Sequence, residues 1–237
     1  VVLNADLTDS TRSEWFVKEF PERSFSIGIA EQDMICTAAG LASSGKIPFA
    51  NTFAIFSERA FEQIRNNAAR PNLNVKIVGS HGGIFTGEDG SSAQSIDDFA
   101  IYRALPNMAV LCPSDAVEAE NLVEEMVKHK GPCYMRLTRV GIPLIFEEKQ
   151  KFEIGKGIVL KEGKDAAIIA CGPLVNEALK AYGELKKENI NVKVISMSSI
   201  KPLDKNLIIK SAKETKAIVT AEDHNVLGGL GSAVAEV

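Results

Sequence analysis

Short β-branched and apolar runs alternate with longer amphipathic runs along almost the whole chain. That alternation is the mark of a parallel sheet with helices packed on its faces. Strands are expected at Val1–Asn4, Ile47–Thr52, Val75–Gly79, Met108–Cys112 and Cys133–Leu137. They are continuous apolar runs, as suits strands covered on both faces. Helices are expected between them at Glu31–Ala42, Glu58–Ala69 with Ser57 as N-cap, Ile96–Ala104 and Ala116–Lys128. The last carries an Asp115…Glu118 capping box, with Lys128 and His129 as cations in its final turn.

The alternation restarts in the second half. Strands are expected at Gly157–Leu160, Ala166–Ala170, Val192–Met197 and Ala217–Thr220, and helices at Leu174–Lys187 (Pro173 in its first turn) and Asp204–Lys213. Between the halves, Gly141–Phe152 has no clear period and a dense run of charges, so the domain boundary is placed there. The expected fold class is α/β, two open, mostly parallel sheets with helices on both faces, with domains over 1–142 and 143–237. Val1–Leu3 reads as a strand under way and Gly231–Val237 as a helix just begun, so flanking residues are expected beyond both ends.

With 237 residues, 45% of them apolar and 24% charged, the chain can build sizeable cores and is not disordered. A net charge of −4 argues against a nucleic-acid or anionic-membrane surface, and no apolar run reaches the ~18–20 residues of a membrane span. Four scattered cysteines and three histidines offer no zinc spacing, and the cysteines read as buried reduced thiols of a cytoplasmic protein.

No Walker A pattern exists, and no G-x-G-x-x-G joins a strand to a helix. The informative stretch is Gly79–Gln94, which leaves a buried strand and holds five glycines, His81 and the adjacent acids Glu88 and Asp89. A loop at the carboxyl end of a parallel strand is where open α/β sheets place ligands, and glycines let backbone approach them closely. Glu31 opens a helix after an apolar approach, where desolvation favours the protonated carboxyl and the helix dipole favours the anion. Phe53 and Phe56, at a strand end, could stack on a planar heterocycle or simply pack in the core. Trp15 reads as packing. Arg136 could join Arg139 near an anion or pair with an acid elsewhere.

Five segments, Ala5-Asp-Leu-Thr-Asp-Ser10, Gly28-Ile-Ala-Glu-Gln-Asp-Met, Thr52-Phe-Ala-Ile-Phe, Gly87-Glu-Asp-Gly and Arg103-Ala-Leu-Pro-Asn-Met, resemble the pyrimidine-binding domain of transketolases. Glu222-Asp-His-Asn-Val-Leu-Gly-Gly-Leu-Gly is similar to the C-terminal domain that follows it. Deoxyxylulose-phosphate synthase and the beta chains of 2-oxo acid dehydrogenases share the architecture, and a non-catalytic partner protein is a further alternative. The family's Gly-Asp-Gly metal motif is missing, and Glu88-Asp89-Gly90 is the nearest string. The resemblance therefore implies the second subunit of a split transketolase. Its partners would be the diphosphate-binding N-terminal subunit, which would hold Mg²⁺ or Ca²⁺, a second copy of itself through homodimer contacts, and phosphorylated sugars.

Residue by residue, the resemblance implies that Glu31 bonds N1′ of the aminopyrimidine of thiamine diphosphate, promoting the tautomer that deprotonates thiazolium C2. Phe56 would stack on the pyrimidine with Phe53 beside it. His81 and Asp89 would bond sugar hydroxyls, while Ser10 and Arg139 would grip the sugar phosphate. The family usually reads Gly-Pro-Thr-His-Gln after Gly-Glu-Asp, whereas Gly90-Ser-Ser-Ala-Gln here places Ala93 at the histidine. Alanine can neither donate a hydrogen bond nor carry a proton, which puts sugar choice in question.

Overall fold

The computed structural model describes residues 1–148 and 150–237; Lys149, inside the stretch read as the boundary, lies outside the described residues. The first half supplies β1 (Val2–Asn4), β2 (Ser24–Ser26), β3 (Phe49–Phe53), β4 (Lys76–Ser80), β5 (Ala109–Leu111) and β6 (Cys133–Arg136). The second supplies β7 (Ile158–Lys161), β8 (Ala166–Ala170), β9 (Val192–Ser196), β10 (Ser199–Lys201) and β11 (Ile218–Ala221). Two sheets result, seven strands in the order β10-β5-β6-β4-β3-β1-β2 and four in the order β11-β8-β9-β7. All pairings are parallel except β10 with β5 and β7 with β9. The expected α/β class with two mostly parallel sheets is what the chain adopts.

Helices pack around the sheets: α1 (Glu14–Glu19), α2 (Glu31–Ser43), α3 (Ala54–Ser57), α4 (Phe61–Gln63), α5 (Asp98–Arg103), α6 (Ala116–Lys128), α7 (Leu174–Lys187), α8 (Lys205–Glu214) and α9 (Leu230–Ala235). α2 buries Met34, Ile35, Ala38 and Ala39, a stripe at i, i+1, i+4 and i+5 that faces the core. Asp115 caps α6 by accepting from Glu118 N at 2.8 Å. In return Glu118 Oε2 accepts from Ser114 N at 2.7 Å, one residue earlier than in a standard capping box. The second oxygen of Asp115 accepts from Ile145 N and Phe146 N, which fastens the connecting stretch to the first sheet.

Several expectations need correction. The helix expected from Glu58 begins at Ala54, straight off β3, and passes through 3₁₀ (Glu58–Ala60) and π (Ile64–Ala69) geometry. Ser57 is therefore inside the helix, with its hydroxyl bonded to Ala54 O and Tyr102 OH. His129 caps α6, but burial and the nearby Lys76 ammonium push its pKa below the ordinary histidine value, which disfavours the expected cation. Cys36 is exposed while the other three thiols are buried. Trp15 is 66% exposed rather than packed.

One hydrophobic core runs through both halves, from Leu3, Met34, Ile77 and Val110 to Ile169, Ile195, Met197 and Leu230. β10 crosses from the second half to pair with β5, and Lys201, its last residue, donates from Nζ to Arg103 O at 2.8 Å and to Leu105 O. The junction between the halves is thus both apolar and hydrogen-bonded.

Candidate functional site

Because β2, β1, β3, β4 and β6 run parallel, their carboxyl ends share one edge of the large sheet. Each feeds one or two candidate residues to that edge. The turn after β1 holds Ser10, α2 after β2 begins at Glu31, and β3 ends at Phe53 with Phe56 one helical turn on. β4 leads to His81 and the loop carrying Asp89, and β6 leads to Arg139. Ligand chemistry in open α/β sheets gathers at this kind of edge.

Glu31 is 2% exposed, and its Oε2 lies 3.3 Å from Nη1 of the largely exposed Arg59. Phe53 stacks on Phe56 (centroids 5.5 Å, planes 12° apart) and on the His81 ring (3.8 Å, 18°). His81 sits at φ +58°, in the left-handed region, with Nδ1 2.7 Å from Ser80 Oγ and its carbonyl accepting from Thr86 Oγ1 at 2.6 Å. Burial pushes the His81 pKa down, helped by the Arg139 charge and opposed by Asp89. The imidazole is accordingly biased toward its neutral form, able to donate from one nitrogen and accept at the other.

Arg139 donates to Thr86 O at 3.2 Å and to Glu88 Oε1 at 2.7 Å, with Asp89 Oδ1 3.9 Å away. The guanidinium and the two acids of the loop therefore occupy one solvent-facing cluster, joined to His81 through Thr86. Ser10 is exposed, its amide bonded to Asp9 Oδ1 at 2.7 Å. It shares the edge, yet among the described residues no hydrogen bond links it to the other candidates. Ala93 closes a short 3₁₀ turn, Ser91–Ala93, at the end of the same loop.

Sequence reasoning missed Arg59 and Glu58, and left Arg136 open between two readings, of which the structure takes the pairing with acids elsewhere. Arg59, the cation beside Glu31, follows Phe56 by three residues, a helical spacing that could have suggested it. Glu58 is half-buried and accepts from Ser95 Oγ. Its pKa is pushed up to about 7, chiefly by burial, with Asp97 and Asp98 adding to the rise and Ser95 and Arg136 opposing it. Arg136 turns away from Arg139: it is 4% exposed and sits between Asp98 (3.6 Å) and Asp223 (3.9 Å), over the Phe99 ring. His224 stacks on the other side of this cluster, 5.0 Å from Phe99, with Nε2 3.8 Å from Asp98 Oδ1. None of these pairings leaves a short-range pattern, since the partners are far apart in sequence.

A buried carboxyl and an aromatic stack on one edge suit the flat, nitrogen-bearing pyrimidine end of thiamine diphosphate. The other end fits poorly, because among the described residues no cluster of three or more His, Cys, Asp or Glu could hold a metal ion. No helix among those residues is long and apolar enough to cross a membrane.

Residues 1–143 match the family model of the transketolase pyrimidine binding domain, and residues 155–237 match that of the transketolase C-terminal domain. The chain belongs to the transketolase family. It is 52% identical over 241 residues to a chain of Methanocaldococcus jannaschii provisionally named a transketolase C-terminal section, covering 100% of this chain and 75% of that one. It is 42% identical to human transketolase over 238 residues, covering 99% of this chain but only 38% of the human enzyme. A 6-deoxy-6-sulfo-D-fructose transketolase subunit of a Clostridium species is 40% identical, with 74% of its length covered.

Among solved structures, a split gene transketolase described as an inactive beta4 tetramer superposes with a TM-score of 0.93 at 51% identity. It is matched over 100% of this chain and 76% of its own. A Pichia stipitis transketolase in complex with sedoheptulose 7-phosphate shares the fold, with a TM-score of 0.83 at 24% identity and 36% of its length covered.

Proposed function

We propose that the chain is the pyrimidine-binding subunit of a split transketolase, moving a two-carbon ketol unit between phosphorylated sugars once joined to a diphosphate-binding subunit. The observation that carries this reading is the placement of buried Glu31 on the same sheet edge as the Phe53–Phe56–His81 stack. The division of labour agrees with the relatives, two of which are themselves partial chains by name.

Thiamine diphosphate, when bound, supplies a thiazolium carbon that can be made nucleophilic. Glu31 holds and moves a proton at N1′ of the aminopyrimidine, and its burial shields that exchange from water. Phe56 and Phe53 orient the ring. His81 and Asp89 bond sugar hydroxyls, and Arg139 grips the phosphate with its planar fork, exchanging its contact with Glu88 for phosphate oxygens. Ser10 contributes from the neighbouring loop. Mg²⁺ or Ca²⁺ and the diphosphate belong to the partner subunit.

We place the domain division at 1–142 and 143–237. The working assembly is a heterotetramer, two copies of each chain in the cytoplasm, serving pentose phosphate interconversion. Without its partner the chain associates with itself; the inactive tetramer described for the similar split-gene protein supports that part of the reading.

The test is reconstitution with a diphosphate-binding chain, thiamine diphosphate and Mg²⁺, assayed with xylulose 5-phosphate plus ribose 5-phosphate and then with pyruvate. Ketol transfer between the sugars is expected. Turnover of pyruvate instead would assign the chain to the synthase or dehydrogenase class, and activity with neither would make it a non-catalytic partner.

A further inference from the structure

The second half of the chain reaches into the candidate site through one carboxylate. Asp223, just beyond β11, is 7% exposed, and its two oxygens accept from the backbone amides of Ile84 (2.9 Å) and Phe85 (3.3 Å). These amides open the 3₁₀ turn Ile84–Asp89, whose remaining residues include Thr86, bonded to the His81 carbonyl, and the acids that pair with Arg139. Arg136 lies beside the buried side chain, its Nη2 3.9 Å from Asp223 Oδ2, and donates to the backbone carbonyls of Asp223 (2.5 Å) and Ser95 (3.3 Å). The approach is close: a Cβ at Gly83, which sits at φ +79°, would collide with both the Asp223 carboxylate and the Arg136 guanidinium.

We infer that Asp223 is a positioning residue: it ties the C-terminal domain to the Ile84–Asp89 turn and so sets where His81, Asp89 and Arg139 meet the sugar phosphate. Both amides point at the oxygens of one side chain, so a single residue holds the start of the turn. Glu31 (α2), Phe53 (β3) and Phe56 (α3) share no hydrogen bond with Asp223 or the turn, and the contact between the two sets is the Phe53–His81 ring stack. Loosening the turn should therefore disturb sugar binding while leaving events at the pyrimidine alone. The kinetic half of this inference rests on the transketolase reading; the structural half does not.

Two variants separate the possibilities. Asp223→Ala removes both acceptors, and the isosteric Asp223→Asn keeps one and fills the same space. In the isolated chain, amide hydrogen exchange at Ile84 and Phe85 should accelerate about tenfold or more in Asp223→Ala and less in Asp223→Asn, with β8 and β9 amides unchanged. In the reconstituted pair, KM for the phosphorylated sugar should rise about tenfold in the Ala variant, with partial rescue by Asn. Exchange of the thiazolium C2 proton should stay at the wild-type rate.

Unchanged exchange at Ile84 and Phe85 would overturn the tie. Equal acceleration across β8 and β9 would reduce Asp223 to a fold-stability role and overturn the positioning claim, as would a loosened turn with an unchanged KM. If Asp223→Ala does not fold, the same comparisons on Asp223→Asn decide. A wild-type pair that turns over no sugar would sink the functional reading, while the exchange rates still judge the tie.

Discussion

Arg59 Nη1 stands 3.3 Å from Glu31 Oε2, an exposed cation against a buried carboxyl. Glu31→Gln keeps the size and removes the titratable proton. A loss of at least about 10²-fold in kcat is expected, with near-normal assembly by sedimentation. A variant retaining more than about half the wild-type rate would remove Glu31 from acid–base chemistry.

Glu58 has a pH signature with a definite sign. Its folded-state pKa is raised to about 7, so between the ordinary carboxyl value and that figure the folded chain holds a proton that the unfolded chain has released. Stability therefore falls as pH rises through this window. Glu58→Gln cancels the effect: the variant should be more stable than wild type by about 1 kcal/mol near pH 8, a figure discounted for the exposed part of the group, and close to equal near pH 5. Denaturant unfolding at the two pH values measures this; a variant stabilised equally at both would refute it.

Ala93 stands where the family carries histidine. Ala93→His adds a donor at the end of the Gly87–Ala93 segment and is expected to change KM or donor preference, with C2 deprotonation unaltered. Steady-state kinetics across several sugar phosphates, a sulfonated sugar included, read the outcome. Identical constants for every sugar would place residue 93 outside the sugar's reach.

Cofactor binding by the chain alone should be weak, because the diphosphate and its metal find no ligand cluster among the described residues. Calorimetric titration with thiamine diphosphate and Mg²⁺ should show no binding in the micromolar range. Tight binding without a partner would contradict the proposed division between subunits.

Much of this molecule was legible in the sequence, and what escaped did so for physical reasons. α6, α7 and β8 keep their expected bounds because long amphipathic periods and unbroken apolar runs are local signals. β2 and β10 escaped because each has three residues, only one of them apolar; their strand character comes from the neighbour they pair with. The helix after Phe53 was placed four residues late because Ser57 looked like a cap, whereas its hydroxyl is spent on Ala54 O and Tyr102 OH. In the site, Glu31, Phe53, Phe56 and His81 could be picked out because strand ends and glycine-rich loops advertise themselves. Asp98 and Asp223, the acids that pair with Arg136, could not, since an ion cluster spanning both halves exists only after folding.

β10 gives the two halves a shared property. A parallel sheet ending at β5 would offer a bare row of amides and carbonyls, the kind of margin on which chains aggregate. Here the second half itself hems that margin, with Cys112 N bonded to Ser198 O at 2.7 Å beside the β5–β10 pairing. Grafting a C-terminal domain from a distant relative onto residues 1–142 would thus need more than a compatible linker. The incoming domain must also carry a hemming strand of matching register, or the chimera would be sticky before it was inactive.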